Sequence, residues 1–247
     1  MTIAIIIPAR YESTRFPGKP LALINGKPMI EWIVDTAKGS KLANKIIVAT
    51  EDKRIFDFVK ENLHIDVCMT SKEHKCGTDR IVEVVKKYPE IKYIVNLQGD
   101  EPLMPSDYID KVLKPLTSAS CQMASLVAPL TSKEELNNPN IVKAVMDKDS
   151  YALYFSRSTI PYNRESKKDI QYYKHIGIYS YTRETILQFS LLPQSQLELT
   201  EQLEQLRALE NGIKIKLEVV SKSYPAVDRP EDVKIVESFL SSVKSLN

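Results

Sequence analysis

The chain has 247 residues, 43% of them hydrophobic, which is enough for one sizeable core or for one domain with a lobe inserted into it. Charged residues make up 27% and the formal net charge is only +2, so the basic excess typical of a nucleic-acid-binding protein is absent. No apolar stretch is long enough to span a membrane, and the segment from Met1 to Pro8 has no charged leader. Together with three widely spaced cysteines, these features predict a cytoplasmic protein with neither nucleic acid nor membrane as a partner.

The first half of the chain alternates short β-branched runs with amphipathic stretches. The predicted strands are 3–7, 45–50, 65–69 and 93–97, and the predicted helices are 28–37, 52–61, 79–87 (with Thr78 as its N-cap) and 106–116. Strands that alternate with helices in this way predict a parallel, doubly wound α/β sheet.

The pattern changes after about residue 120. Further strands are predicted at 121–129, 142–146, 152–156, 172–181 and 214–219, and further helices at 197–210 and 231–243. Most of these strands are not separated by helices long enough for parallel crossovers, so part of the second half is predicted to be antiparallel or mixed. Residues 133–173 are predicted to contribute to an inserted lobe.

The segment after the first strand, Pro8 to Pro20, combines small and polar residues with three cations, Arg10, Arg15 and Lys19. Ligands of open α/β sheets bind beyond the carboxyl ends of the strands, so this segment is a candidate phosphate-binding loop. The alternative is an ordinary solvated loop. It matches neither the G-x-G-x-x-G fingerprint of dinucleotide-binding folds nor the Walker loop, which disfavours a nicotinamide dehydrogenase.

Two aspartates are candidate ligands of a magnesium ion. Asp100 follows the fourth predicted strand and is preceded by glycine, and Asp228 precedes the last predicted helix. Mg²⁺ often takes one or two carboxylates together with the phosphates of a substrate. The alternatives are that Asp100 caps its own turn and that Asp228 caps the final helix.

Six segments of the sequence resemble the 3-deoxy-manno-octulosonate cytidylyltransferases, also called CMP-Kdo synthetases. They are Ile7 to Leu21, Gly77 to Arg80, Asn96 to Pro102, Tyr151 to Pro161, His175 to Tyr179, and Leu203 to Glu210. The first segment is shared with other sugar nucleotidyltransferases, whereas the last three in this order are strongly specific.

The resemblance implies a Rossmann-like fold of the nucleotide-diphospho-sugar transferase type, and a homodimer whose contacts are carried by the inserted lobe. The implied reaction joins CTP to an acidic eight-carbon sugar, Kdo, for lipopolysaccharide biosynthesis, when the anomeric hydroxyl attacks the α-phosphorus and pyrophosphate leaves. The implied catalytic residues are Lys19, Asp100 and Asp228, the last two holding Mg²⁺. The implied nucleotide-binding residues are Ala9, Arg10, Lys19, Gly77, Thr78 and Arg80, and the implied sugar-binding residues are Gln98, Arg157, His175, Glu201 and Glu204.

Several of these residues also have structural interpretations. Arg157 has the planar fork that suits a sugar carboxylate, but it could instead form a structural ion pair. A lone histidine such as His175 is often a structural residue. Glu201 and Glu204 are predicted to lie on adjacent turns of one helix, either facing sugar hydroxyls or facing water.

Three positions depart from the usual family pattern: Cys76 stands in place of serine, Glu51 in place of aspartate, and Arg229 in place of threonine. An enzyme for the 8-amino form of the sugar is the nearest alternative, because that subgroup shares almost all of the segments. A non-catalytic nucleotide-binding protein on the same scaffold is a further alternative. The presence of Lys19, Asp100 and Asp228 argues against it.

Overall fold

A computed structural model describes residues 1–74, 76–118, 121–165 and 170–244. The chain forms two compact units. The first contains residues 1–110 and 224–247, and the second contains residues 111–223, which include the whole segment predicted to contribute to an inserted lobe. The role of that segment in dimerisation and sugar binding stays a prediction.

The first unit is built on parallel strands with helical connections. Its strands are β1 (Thr2–Pro8), β2 (Leu23–Ile24), β3 (Lys27–Pro28), β4 (Lys45–Thr50), β5 (Asp66–Met69) and β6 (Ile91–Asn96). Its helices are α1 (Met29–Lys38), α2 (Lys53–Phe58), α3 (Gly77–Lys87) and α9 (Asp232–Lys244), and α4 (Ser106–Thr117) begins in it.

The strand order β6-β1-β4-β5 decides where a ligand can bind. All three neighbouring pairs are parallel, and the chain adds β4 and β5 on one side of β1 before it returns to place β6 on the other. Residues Ile5, Ile6 and Ile7 of β1 are fully buried, as expected for a strand covered on both faces. The strand order therefore reverses between β1 and β6, and loops at the carboxyl ends of these strands flank a crevice.

The second unit has a mixed sheet, which confirms the predicted change of pattern. Its strands are β7 (Met123–Pro129), β8 (Lys143–Met146), β9 (Ala152–Ser156), β10 (Tyr173–Thr182) and β11 (Lys216–Val219). Strand β11 is parallel to β7, whereas β10 is antiparallel to both β7 and β8, and β8 is antiparallel to β9. Its helices are α5 (Lys133–Asn137), α6 (Arg183–Ser190), α7 (Gln196–Glu201) and α8 (Gln205–Glu210).

Two local predictions are wrong. The N-cap of α3 is Cys76, whose Sγ accepts the backbone N–H of Asp79, so Thr78 lies inside the helix. The single helix predicted over 197–210 is two helices, because Gln202 adopts a left-handed conformation with φ 53°. Glu201 therefore ends α7 while Glu204 is the N-cap of α8, and the two residues do not lie on adjacent turns of one helix.

No helix in the described ranges has the length and apolar character needed to cross a lipid bilayer.

Candidate active site

A cavity of about 380 Å³ opens at the carboxyl ends of β1 and β6, where the strand order reverses. Three segments of the first unit form its walls: the loop after β1, the first turn of α3, and the turn after β6. The lining residues are Pro8, Arg10, Glu12, Ser13, Thr14, Arg15, Lys19, Pro20, Gly77, Gln98, Gly99 and Asp100. The candidate phosphate loop and Asp100 thus face one cavity, as their positions after neighbouring strands predict.

The loop after β1 places Lys19 in this cavity. Gly18 adopts a left-handed conformation (φ 72°), and a short 3₁₀ helix begins immediately after it at Lys19. The backbone angle favours glycine at this position, and a Cβ there would also lie only 3.2 Å from the ring of Tyr11. This turn ends the extended chain that follows β1 and places Lys19 at the start of the 3₁₀ helix.

Lys19 joins two parts of the site that are far apart in sequence. Its Nζ lies 3.1 Å from Oδ2 of Asp100 and 3.0 Å from the carbonyl oxygen of Val227. The backbone N–H of Val227 in turn donates to the carbonyl oxygen of Asp100 at 2.8 Å. These contacts fix the turn after β6 against the segment that precedes α9, and they place Asp228 next to a residue bonded to Asp100.

The surroundings of Asp228 do not match the helix-capping alternative. Asp232 provides the carboxylate that accepts the backbone N–H groups of Asp228 and Arg229, both at 2.8 Å. The carboxylate of Asp228 lies 3.3 Å from Nη2 of Arg15, and its side chain is 52% exposed. The guanidinium of Arg229 lies 3.8 Å from Glu231. Asp228 therefore presents its carboxylate toward the cation-rich loop that lines the cavity.

The glycine before Asp100 is required by a close approach of backbone. A Cβ at Gly99 would lie 2.8 Å from the carbonyl oxygen of Pro8, which is closer than real Cβ atoms come to backbone. Only glycine lets the ends of β1 and β6 approach this closely. The positions of the phosphate loop and of Asp100 thus depend on each other.

The first turn of α3 forms another wall of the cavity through Gly77. The N-terminus of this 11-residue helix carries a partial positive charge, which favours phosphate groups nearby. Thr78 is buried, so its hydroxyl has little access to solvent.

Arg80 lies inside the protein, not on the cavity wall. It is fully buried, its Nη2 lies 2.9 Å from Oε2 of Glu51, and its Nη1 donates to Thr70 Oγ1. Burial lowers the pKa of Arg80, whereas the carboxylate of Glu51 opposes that shift. Glu51 also accepts the backbone N–H of Tyr11 at 3.0 Å. Glu51 thus connects the candidate phosphate loop to α3.

The remaining candidates in this unit differ in their access to the cavity. Ala9 is buried and its backbone N–H donates to Ala49 O at 2.8 Å, so that donor is already used within the protein. Arg10 is exposed and lines the cavity. Gln98 also lines the cavity, and its side-chain amide donates to Asn96 at 3.0 Å.

In the second unit, Arg157 and Glu201 form one hydrogen-bonded cluster. The carboxylate of Glu201 accepts from Ser156 Oγ at 2.6 Å and from the backbone N–H of Arg157 at 2.9 Å. The Nε of Arg157 donates to the carbonyl oxygen of Glu201 at 2.7 Å, and its Nη1 donates to Pro139 O at 3.0 Å. Neither interpretation of Arg157 anticipated this arrangement, in which carbonyl oxygens orient the guanidinium.

His175 lies on β10 among aromatic rings. Its ring centroid is 4.9 Å from that of Phe155 and 5.4 Å from that of Tyr179. Its Nε2 lies 2.9 Å from Ser125 Oγ, which is also 2.8 Å from the carbonyl oxygen of Ile178. Burial lowers the pKa of His175 to about 3, so the imidazole is neutral at physiological pH. It can exchange hydrogen bonds there without carrying charge.

Glu204 lies 3.7 Å from Arg207, which forms a second, closer pair with Glu198. The Nε of Arg207 donates to Glu198 Oε2 at 2.7 Å in the interior of the unit. Burial opposes ionisation of Glu198, but the hydrogen bonds from Arg207 and Ser195 outweigh it and lower the pKa. This pair holds α7 against α8 on either side of the left-handed Gln202.

Sequence reasoning named Arg15 as one of three cations in the candidate phosphate loop, but it did not anticipate the pair that Arg15 forms with Asp228. It missed Lys143 altogether. Lys143 is fully buried, and its Nζ donates to the carbonyl oxygen of Arg157. No motif marked Lys143, because an isolated lysine on an amphipathic strand normally faces water.

Comparison with known proteins identifies the family. The family model described as cytidylyltransferase matches residues 4–215. A 3-deoxy-manno-octulosonate cytidylyltransferase of Tolumonas auensis is 47% identical over 99% of both chains. An 8-amino-3,8-dideoxy-manno-octulosonate cytidylyltransferase of Shewanella piezotolerans is 46% identical over 98% of this chain and 99% of its own.

A solved structure agrees with the sequence relatives. It is that of a CMP:2-keto-3-deoxy-manno-octonic acid synthetase complexed with CTP, which is 38% identical and superposes with a TM-score of 0.93 over 98% of this chain and 99% of its own. The match confirms the predicted α/β fold of the nucleotidyltransferase type. The chain therefore belongs to the 3-deoxy-manno-octulosonate cytidylyltransferase family.

Proposed function

We propose that this protein transfers the cytidylyl group of CTP to the anomeric hydroxyl of 3-deoxy-D-manno-octulosonate (Kdo), which gives CMP-Kdo and pyrophosphate. Nucleotidyl transfer needs mainly positioned reactants and compensation of negative charge, and it needs no protein nucleophile. The observation that carries the proposal is the contact of Lys19 with both Asp100 and Val227, which brings one cation and one carboxylate together at the switch point of the sheet, with Asp228 next to Val227 in the sequence.

The cavity provides fixed positive charge for the phosphates of CTP. Arg10, Arg15 and Lys19 line it on one side, and the N-terminus of α3 faces it at Gly77. In the proposed reaction, Lys19 stabilises the charge that develops on the phosphates as pyrophosphate leaves. Because Asp100 and Val227 hold its ammonium at the start, this charge is oriented before the nucleotide binds.

The carboxylates have the chemistry that a magnesium ion requires. Mg²⁺ prefers oxygen ligands and keeps several of its sites for water or substrate phosphates. Asp100 and Asp228 are both accessible, with side chains 32% and 52% exposed. Within the part of the chain that the structure describes, no three acidic, histidine or cysteine side chains converge on one point, so a site here would be completed by the substrate. When bound, Mg²⁺ supplies charge neutralisation at the transferred phosphate and a lower pKa for a coordinated hydroxyl.

For the acidic sugar, we propose that Arg157 contacts the carboxylate and that His175 and Glu204, in the same unit, contribute hydrogen bonds. The three carbonyl contacts of Arg157 leave part of its five-donor fork for a ligand. The carboxylate of Glu201 is already engaged by Ser156 and Arg157, so its role is to orient Arg157. Arg80 acts from the interior through Glu51.

The experiment is pyrophosphate release from CTP and MgCl₂, with Kdo and 8-amino-Kdo assayed in parallel. Turnover that needs CTP, Mg²⁺ and Kdo, and that Asp100→Ala abolishes, supports the proposal. Full activity of Asp100→Ala would refute the role of Asp100 as a metal ligand. No release with either sugar would refute the proposed function.

The 8-amino sugar is a second candidate substrate, because a relative named for it is 46% identical over 98% of this chain. A preference for 8-amino-Kdo in the parallel assay would keep the mechanism and change the substrate.

We further propose a homodimer in the cytoplasm that serves lipopolysaccharide biosynthesis. Exposed apolar side chains in the second unit support a subunit contact there, since Leu153 is 62% exposed and Tyr162 is 85% exposed. Cys68, Cys76 and Cys121 form no disulfide among the described residues, which suits a reducing compartment. Light scattering of the purified protein tests the dimer, and Leu153→Asp is expected to shift it toward the monomer.

A further inference from the structure

Strand β8 carries a lysine whose charge lies entirely inside the second unit. Lys143 is fully buried, although lysine is among the residues least often found in a protein interior. Its Nζ donates to the carbonyl oxygens of Asn138 at 3.0 Å, Ile141 at 2.7 Å and Arg157. An ammonium has three N–H donors, so each of them has one acceptor here.

The partners of this ammonium are backbone dipoles, as in sites that bind a bare monovalent cation. The nearby carboxylate of Glu201 favours the charged form, but its own hydrogen bonds go to Ser156 and Arg157. Burial lowers the pKa of Lys143 and the charge of Arg157 acts in the same direction. The carbonyl cage, with Glu201 beyond it, is what makes a buried charge tolerable at this position.

The three carbonyls belong to two segments: one accepts a hydrogen bond from the guanidinium of Arg157, and the other is the main chain of Arg157 itself. One segment is the turn at 138–141, whose Pro139 carbonyl accepts from Arg157 Nη1 at 3.0 Å. The other segment follows the end of β9. There the carbonyl oxygen of Arg157 accepts a hydrogen bond from Lys143, and the backbone N–H of Arg157 donates to the carboxylate of Glu201. Lys143 therefore contacts both the backbone of Arg157 and the turn that supplies one of the three carbonyl acceptors of its side chain; the other two are the carbonyls of Glu201 and Gln202.

We propose that Lys143 is a positioning residue for the acidic sugar: its ammonium is a tethered monovalent cation that holds Arg157 in the orientation needed to bind the sugar carboxylate. This inference rests on the proposed function, in which Arg157 meets that carboxylate. In this role, Lys143 does not need to contact either substrate. It predicts that the loss of Lys143 affects the sugar far more than the nucleotide.

The test compares Lys143→Ala and Lys143→Met with Lys148→Met in the full-length protein. Lys148 is exposed in the turn between β8 and β9, so Lys148→Met removes the same charge from the same hairpin. For the Lys143 variants, KM for Kdo is expected to rise roughly 10- to 100-fold while KM for CTP stays within about twofold, since small misplacements of an anchoring group have effects of this size. The control variant is expected to behave as the unaltered protein.

Chemical rescue separates positioning by a cation from a general loss of structure. Lys143→Ala removes the tether and leaves space, so added ammonium or methylammonium chloride is expected to lower its KM for Kdo, whereas tetramethylammonium chloride at equal ionic strength is not. Lys143→Met keeps most of the length of the side chain and leaves no large cavity. It therefore provides the KM measurements if Lys143→Ala does not fold. In an Arg157→Ala background, Lys143→Met is expected to cause no further rise in KM for Kdo.

The outcomes distinguish this proposal from the function on which it rests. No turnover of Kdo or 8-amino-Kdo by the unaltered protein would refute the proposed function itself. Turnover by the unaltered protein, with equal changes in KM for CTP and Kdo in the Lys143 variants, would overturn the role of Lys143 alone. An additive effect of Lys143→Met in the Arg157→Ala background would overturn it as well.

Discussion

The ammonium of Lys19 lies 3.1 Å from the carboxylate of Asp100. This contact neutralises a carboxylate that the proposed reaction assigns to a metal ion, so the protein without nucleotide has its own cation at that carboxylate. Binding of CTP with Mg²⁺ would exchange this contact for phosphate oxygens on Lys19 and a divalent cation on Asp100. The pair is therefore a preformed arrangement in which each charge keeps the other in position until the substrate arrives.

Lys19→Met is expected to lower kcat by roughly 10²- to 10³-fold, because a charge aimed at the developing negative charge of the phosphates is lost. Pyrophosphate release at saturating CTP and Kdo measures the effect. Lys27→Met is the matched control, since Lys27 pairs with Glu31 and Asp35 on the surface. A variant of Lys19 with near-normal kcat and only a raised KM for CTP would show that the lysine serves ground-state binding instead.

Asp100→Asn and Asp228→Asn are each expected to raise the Mg²⁺ concentration needed for tight CTP binding by roughly tenfold or more, since an amide is a neutral and weaker ligand for a hard cation. Calorimetric titration of CTP at a series of Mg²⁺ concentrations gives this result without relying on turnover. Asp149→Asn, at an exposed turn of the second unit, is the control. Unchanged Mg²⁺ dependence in both variants would remove these two residues from the metal site.

Glu51→Gln is expected to destabilise the protein by about 3 kcal/mol, because Arg80 would keep a buried charge without its counter-ion. The Arg80 side chain is 1% exposed and that of Glu51 is 8% exposed, so water cannot compensate. Urea unfolding measures the change. Asp57→Asn breaks the exposed pair with Lys53 and is expected to cost less than about 1 kcal/mol. Equal costs for the two variants would contradict the interpretation of a buried, coupling ion pair.

Much of the first unit was predictable because its signals are local. Continuous apolar runs marked the buried strands, and the position of a loop or aspartate after such a strand placed Lys19 and Asp100 in one cavity. The pairing of Asp228 with Arg15, a residue that lines this cavity, was not predictable from spacing. It depends on the backbone bond between Val227 and Asp100, which joins residues more than a hundred positions apart.

The failures have physical causes that a one-dimensional pattern does not contain. The helix predicted over 197–210 is interrupted at the left-handed Gln202, and the buried pair of Glu198 and Arg207 joins the two helices that result. Arg80 lies in the first turn of a helix, where a cation normally faces solvent. In the structure it is buried and paired with Glu51, 29 positions earlier in the sequence. In both cases a buried ion pair joins residues that the local sequence pattern does not connect.

The stability of the protein is expected to fall in acid partly through His175. Burial lowers its pKa in the folded state to about 3 from an ordinary value of 6.5, so the unfolded chain binds a proton over this interval and the folded protein does not. Stability therefore decreases as the pH falls from about 6.5 toward 3, with a slope of up to about 1.4 kcal/mol per pH unit from this group.

The measurement is the free energy of unfolding between pH 4 and 8 for the unaltered protein and for His175→Gln. The variant cannot bind the proton, so its stability is expected to depend less steeply on pH below 6.5, whatever its absolute stability. The NMR shifts of the His175 ring should stay constant above pH 5. Parallel stability curves, or a ring that titrates near pH 6.5, would show that the imidazole is open to protonation in the folded protein.

Cys76→Ser is expected to stabilise the protein by about 0.5 to 1 kcal/mol, because a hydroxyl oxygen is a stronger acceptor than a thiol sulfur at a helix N-cap. In the native protein, Cys76 Sγ accepts the N–H of Asp79 at a distance of 3.4 Å, and the backbone already has the extended conformation that an N-cap needs.

Cys68→Ser is the matched control, since Cys68 is buried and the same change there is expected to lower the stability of the protein. Thermal unfolding measures both variants, and the KM for CTP of Cys76→Ser should not change, because the sulfur serves the helix. A loss of stability in Cys76→Ser would mean that the apolar contacts of the sulfur outweigh its weakness as a cap.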